Sequence, residues 1–149
     1  MRNTQLLDKI KAVVAMLPTI GTVGSQACVE VAGAGYERAL WIINTGAATT
    51  SGLLDFKVQK AAATGMGGAA DVSGAAITQL TAVANGTGGI LVIDMPVDPA
   101  YPFMRAVCTT TTAAIVCGAI CLLYKGNGGN GAAGAYPVST AYALQAVKV

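Results

Sequence analysis

Residues 41–59 read WIINTGAATTSGLLDFKVQ. The stretch opens on an apolar run from Trp41, passes through Asn44, Thr45 and Gly46 into small residues, and ends in strict alternation. Leu54, Phe56 and Val58 fall on one side, and Asp55, Lys57 and Gln59 on the other. A period of two is the mark of a strand with one buried face. The stretch therefore reads as strand, turn, strand, a hairpin in which Trp41 is the largest core side chain.

The same grammar extends in both directions. Gln26 to Val31 alternates before Gly33 and Gly35 interrupt it, and Arg38 to Asn44 leads into the turn at Thr45 to Gly52. After Leu53 to Lys60 comes a small-residue loop, Ala61 to Ala70, then an apolar segment at Ile77 to Thr81. A turn at Asn85 to Gly89 precedes Ile90 to Asp94, and Pro96, Pro99 and Pro102 punctuate a loop. Phe103 to Thr109 and Ile115 to Tyr124 complete the set, giving seven or eight short strands. No helical pattern separates them, so the expected fold is all-β: an antiparallel β-sandwich or jelly roll.

Both ends depart from this pattern. Leu6, Leu7, Ile10, Val13 and Val14 recur at helical spacing, so a helix is expected from Thr4 to Met16, ended by Pro18. It would serve as a lid on its own domain or as an arm to a neighbour. GNGGNGAAGA, beginning at Gly126, reads as a hinge. Beyond it, Tyr136, Tyr142, Leu144 and Val147 lie in a segment without acidic residues. That segment would dock on another subunit or fold back as a last strand. The chain thus divides into an N-terminal helix or arm (1–24), a sandwich (25–125), and a glycine-hinged C-terminal arm (126–149). The interface candidates are Leu6, Leu7, Ile10, Val14, Tyr136, Tyr142, Leu144 and Val147.

Charged residues make up 11% of the 149, against about 25% in soluble domains. A surface so poor in charge is weakly protected against association, which points to a chain that works with much of its surface covered by protein. Nine basic and seven acidic residues are scattered along the chain, and no basic cluster suits a phosphate backbone. The longest apolar run, Ala113 to Tyr124, has twelve residues, where a helical span needs about 20. Asp8, Lys9 and Lys11 interrupt what would be the apolar region of a secretory signal. Neither nucleic acid nor membrane is expected as a partner.

Catalytic equipment is scarce. With no histidine, Ser-His and Cys-His pairs are excluded. Cys28, Cys108, Cys117 and Cys121 contain no C-x-x-C pair, and on a strand Cys117 and Cys121 would stand about 13 Å apart. They are expected as reduced core thiols. Gly126, Gly128 and Gly131 match a dinucleotide-binding spacing, but no acidic residue follows them. Asp94 and Asp98 flank Pro96 and read as turn residues rather than calcium ligands. Asn85-Gly86-Thr87 reads as a plain turn. Arg38 and Arg105 are expected to pair with a carboxylate such as Glu37 or Asp55, the alternative being that either faces an interface. No catalytic, cofactor-binding or metal-binding residue is expected, and the chain is not expected to be an enzyme.

Three phrases carry a resemblance: Glu37 to Gly46 followed by Gly52 to Gln59; Asp71 to Leu80; and Tyr101 to Val107 leading to the strand Ala113 to Tyr124. In this order, over roughly Tyr36 to Tyr124, the chain resembles small β-sandwich virion proteins of tailed bacteriophages, in particular capsid decoration (cement) proteins. The resemblance implies a protein made in the host cytoplasm and located on the capsid surface. Its partner would be the major capsid protein, whose neighbouring subunits it would bridge, often as a homo-oligomer, with a trimer favoured. The alternative is a tail or fibre-associated module for attachment to the host surface.

Overall fold

The computed structural model describes residues 10–20, 23–46, 53–80, 89–125 and 143–148. Among these residues lie ten strands: β1 (Ile10–Ile20), β2 (Gly24–Ala27), β3 (Val31–Ala32), β4 (Arg38–Thr45), β5 (Leu53–Ala61), β6 (Ala70–Leu80), β7 (Gly89–Pro96), β8 (Phe103–Thr111), β9 (Val116–Tyr124) and β10 (Ala143–Lys148). Sheet A has the order β1-β9-β4-β7-β10. Sheet B has the order β2-β8-β5-β6, with β3 also on β8.

The pairing is nested. β1 pairs with β9, β2 with β8, β4 with β7 and β5 with β6, all antiparallel. The chain is thus a long double strand, folded at β5–β6 and rolled up so that β4 also meets β9 and β5 meets β8. β3 continues β2 along β8 after Cys28 to Glu30. This is the jelly-roll arrangement, two antiparallel sheets face to face. β10 stands outside the nest as a parallel edge strand on β7, Ala143 opposite Gly89 and Lys148 opposite Asp94.

Two expectations need correcting. First, Trp41 to Gln59 is not a hairpin. β4 pairs with β7 and β9 in sheet A, whereas β5 pairs with β6 and β8 in sheet B. Alternation establishes two strands and their inward faces, but it does not say whether a connection turns within a sheet or crosses between sheets. Second, Ile10 to Met16 is strand, not helix. Val14 opposes Ile120, and the ladder runs on to Ile20 opposite Val116, with irregularities around Met16. Pro18 falls within the irregular part of an edge strand, where a missing N–H is tolerated. The rest of the expected helix, from Thr4, lies outside the described residues.

The core is made by the two inner faces. Trp41, Ile43, Leu91, Ile93, Met95 and Leu123 come from sheet A, and Leu54, Phe56, Val58 and Met104 from sheet B. Full burial of each such side chain contributes about 1.5–3 kcal/mol. Trp41 is completely buried and its Nε1 has no hydrogen-bond partner among the described residues, a cost that its large apolar area offsets. Thr45 closes one end of the core. Its Oγ1 donates to the Gly89 carbonyl at 3.1 Å and accepts from the Gly89 N–H at 2.9 Å.

At two glycines the neighbours approach closely. A Cβ at Gly33 would lie 2.7 Å from Met104 Cε and 3.0 Å from Val97 Cγ1. At Gly118 it would lie 3.2 Å from Pro18 N, a tight approach where β1 pairs with β9.

Candidate interaction surface

The inner faces of the two sheets are alike, but their outer faces are not. On sheet A, the outward positions of β9 are Val116, Gly118, Ile120, Leu122 and Tyr124, and those of β4 are Arg38, Leu40, Ile42 and Asn44. Register aligns Val14, Ile120, Ile42 and Val92 in one row across β1, β9, β4 and β7. Ala12, Leu122 and Leu40 form the next row, with Asp94 at its end. Val14 is 58% exposed, Ile120 45%, Ile90 40% and Val116 37%. An antiparallel sheet usually turns one face to the core and a polar face to water. Here the outer face also carries apolar rows from β1 to β7, with Arg38, Asn44 and Asp94 toward the strand ends.

A polar cluster bounds one end of this surface. Arg38 Nε donates to Asp94 Oδ1 at 3.0 Å and lies 3.1 Å from Tyr124 Oη, while Tyr124 Oη donates to Asp94 Oδ1 at 2.9 Å. The hydrogen bond to Asp94 holds the Arg38 guanidinium above its ordinary pKa. Burial, and then the bond to Asp94, pushes the Tyr124 phenol up. Asp94 is therefore a strand residue in a charge-paired network rather than a turn residue.

Sheet B presents the opposite chemistry. Lys57 Nζ is 2.8 Å from Asp71 Oδ2, Gln59 Nε2 donates to Asp71 Oδ1 at 2.9 Å, and Arg105 Nε donates to Gln59 Oε1 at 2.9 Å. Ser25 and Thr109 share a 2.8 Å hydroxyl bond. The bonds from Lys57 and then Gln59 hold the Asp71 carboxyl below its usual range. Arg105 thus meets Gln59, an amide where a carboxylate was expected. Asp98 is the turn residue expected of it. Its Oδ1 accepts from the Ala100 N–H at 3.0 Å, and its Oδ2 is 2.7 Å from Lys60 Nζ.

Of the eight interface candidates, Ile10 and Val14 lie on β1, Ile10 half-buried and Val14 exposed. Leu144 and Val147 lie on β10, in register with Ile90 and Ile93. Leu6, Leu7, Tyr136 and Tyr142 lie outside the described residues, as do Asn85 and the glycines from Gly126 to Gly131. Sequence reasoning missed the residues that make the surface continuous, Leu40, Ile42, Val92, Ile120 and Leu122. The signal was the unbroken apolar runs in β4 and β9, where an antiparallel strand facing water on one side would alternate.

The four cysteines are free and buried. Cys108 of sheet B meets Cys117 of sheet A across the core and Cys28 beside it, and these bonds, with burial, push its thiol up. Cys117 Sγ lies 3.7 Å from Met16 Sδ. Burial raises the Cys121 thiol to about 12. The raised Cys108 and Cys121 thiols pack as small hydrophobes and are poor nucleophiles. Among the described residues, no group of three or more His, Cys, Asp or Glu is placed to hold a metal ion, and no helix is long and apolar enough to cross a membrane.

No protein-family model and no curated protein matches the sequence. Among solved structures, dimeric latent PorU from Porphyromonas gingivalis is similar with a TM-score of 0.42 at 11% identity, over 78% of this chain and 12% of that one. Infectious bursal disease virus, Gx strain, is similar with a TM-score of 0.41 at 9% identity, over 82% of this chain and 33% of that one. The chain thus spans well under two thirds of either structure's length, and likenesses of this degree carry no functional meaning.

Proposed function

We propose that this chain is a structural virion protein of a tailed phage, one that decorates the capsid and stabilises it by bridging neighbouring capsid subunits. The observation that carries the reading is the apolar outer face of sheet A, on a chain in which 11% of residues are charged. A face of this kind marks a surface that works covered by protein. The jelly roll is a recurrent architecture of viral capsid domains, and also of lectins and cupins. It supports the reading by analogy of fold alone.

The physics of the role asks for no reactive group. A shell filled with DNA is strained at its subunit junctions. A protein that binds across a junction only in the assembled state stabilises that state by RT ln(1 + [L]/Kd), about 2.7 kcal/mol at a hundredfold excess over Kd. Many identical copies add up. The requirement is a rigid body with one face for protein and one for water, and the two outer faces described above meet it.

The test is to add the purified protein to undecorated, expanded phage shells. The expected result is saturable binding and a higher temperature of shell disruption. Shells that bind nothing and melt unchanged would refute the reading.

A further inference from the structure

We infer that, in the working assembly, the strand seated on β7 is β10 of a second copy of this chain, so that copies are tied together by exchange of this one strand. The inference rests on the reading above that the outer face of sheet A is kept for the shell, and it names how copies join without using that face.

Topology sets the problem. β9 runs antiparallel to β4 and β4 antiparallel to β7, while β10 runs parallel to β7. β9 and β10 therefore point the same way, with β4 and β7 between them. β9 ends with Tyr124 opposite Arg38, which faces Pro96 of β7. β10 begins with Ala143 opposite Gly89, which faces Thr45 of β4. The chain leaves sheet A at one end and re-enters it at the other, three strands across. That is a displacement of about 23 Å along the strands and about 14 Å across them. The connection, residues 125–142, reaches at most about 60 Å.

Within one chain this return has two routes, because sheet B fills the inner side of sheet A. A path over the outer face would lay the connection across Leu40, Ile42, Ile120 and Leu122, the residues the shell contact needs. A path round the free edge would run about 40 Å with neither sheet behind it, which costs chain order without burying apolar area. Exchange needs neither route. The antiparallel pairs β1 with β9, β2 with β8, β4 with β7 and β5 with β6 are complete without β10, so the strand can leave one body without unpicking it. Every copy offers one such strand and one β7 edge, Gly89 to Asp94, so donors and acceptors match one to one. Filling that edge with an identical strand satisfies its ladder and removes a template for stray pairing. Exchange of an identical element is a low-cost route to oligomers.

The experiment is cysteine cross-linking in the full chain at micromolar concentration. Val92 stands opposite Ala146, and Ile90 opposite Leu144. Opposed residues on adjacent strands are about 4.8 Å apart, within disulfide reach. The double variant Val92→Cys with Ala146→Cys is oxidised with a copper–phenanthroline catalyst and run on a denaturing gel without reductant. Cross-linked species at two or more times the mass of one chain are expected, absent from either single variant. Ile90→Cys with Leu144→Cys makes the same test should the first pair fail to fold, foldedness being read from the near-ultraviolet spectrum of Trp41. Cysteines joined within a single chain would overturn the inference, and so would the lack of any cross-link from both pairs. The shell-binding assay separates it from the reading beneath it. A chain cross-linked to itself that still stabilises shells removes the exchange and leaves the decoration role. A strand-exchanged oligomer that never touches shells does the reverse.

Discussion

The two outer faces of this jelly roll are built on the same backbone geometry and carry opposite chemistry. On sheet B, neighbouring strands present Lys57, Gln59, Asp71 and Arg105, each bonded to a neighbour across the ladder. On sheet A, the equivalent positions hold Val14, Leu40, Ile42, Val92, Ile120 and Leu122. Since both inner faces already fill the core, folding alone does not explain the apolar outer face. A single sandwich needs one apolar face per sheet, and sheet A has two. The difference teaches that stability and assembly are written on different faces of the same strands.

This separation is open to direct attack, with the largest effect expected inside. Trp41→Ala and Phe56→Ala remove fully buried side chains from sheets A and B respectively. Each is expected to cost about 3–5 kcal/mol, read by denaturant titration, because the inner faces are equivalent. A marked inequality would mean that one sheet folds on the other rather than with it.

Next comes the rim. Arg38→Ala leaves Asp94, whose side chain is 17% exposed, without the guanidinium. The expected loss is about 1–3 kcal/mol in thermal unfolding. Gly118→Ala presses a Cβ against Pro18 and is expected to cost about 1–3 kcal/mol, with β1 shifting on β9. Removal of residues 126–149 takes away β10, which lies outside the nested pairs, and is expected to leave the near-ultraviolet spectrum of Trp41 unchanged. Collapse of that spectrum would show β10 to be part of the cooperative unit.

The smallest effects are expected on the outer face of sheet B and at the extremes of pH. Lys57→Ala breaks an exposed ion pair, and less than about 1 kcal/mol should be lost. Asp71 has its folded-state pKa lowered, so its contribution is present above its unfolded value of about 3.9 and is lost as pH falls through the lower folded value. The alkaline side behaves in the opposite sense. Cys121 is raised from 9.0 to about 12 and Tyr124 is raised from 10.0. Their stabilisation is full below those unfolded values and declines as pH rises toward the folded ones. Cys121→Ala is expected to flatten the stability profile between about pH 9 and 12 by close to one proton.

Much of the sandwich was legible because its inner faces follow a period of two. Leu54, Phe56 and Val58 alternate with polar partners, and Trp41 falls where a core aromatic belongs. β1 was misread for the same reason that makes it informative. An edge strand with apolar residues on both sides loses its alternation, and Ile10, Val13 and Val14 then imitate a helical stripe. The first half of β6 was left unassigned because Asp71, Ser73 and Gly74 face water there, and Gly74, at φ +78°, breaks the regular strand. The crossing from β4 to β5 was not legible, because small residues suit a tight hairpin and a bridge between sheets equally well. The apolar outer face follows only from register. Val14, Ile120, Ile42 and Val92 are far apart in sequence, and no local pattern places them in one row.

The most direct measurement is an electron-microscopy map of the decorated particle at side-chain resolution. The outer face of sheet A should lie against another polypeptide, with Ile42 and Ile120 out of water and Lys57 and Asp71 on the solvent side. A map with Ile42 and Ile120 facing open solvent, or with Lys57 and Asp71 buried in the contact, would contradict the account.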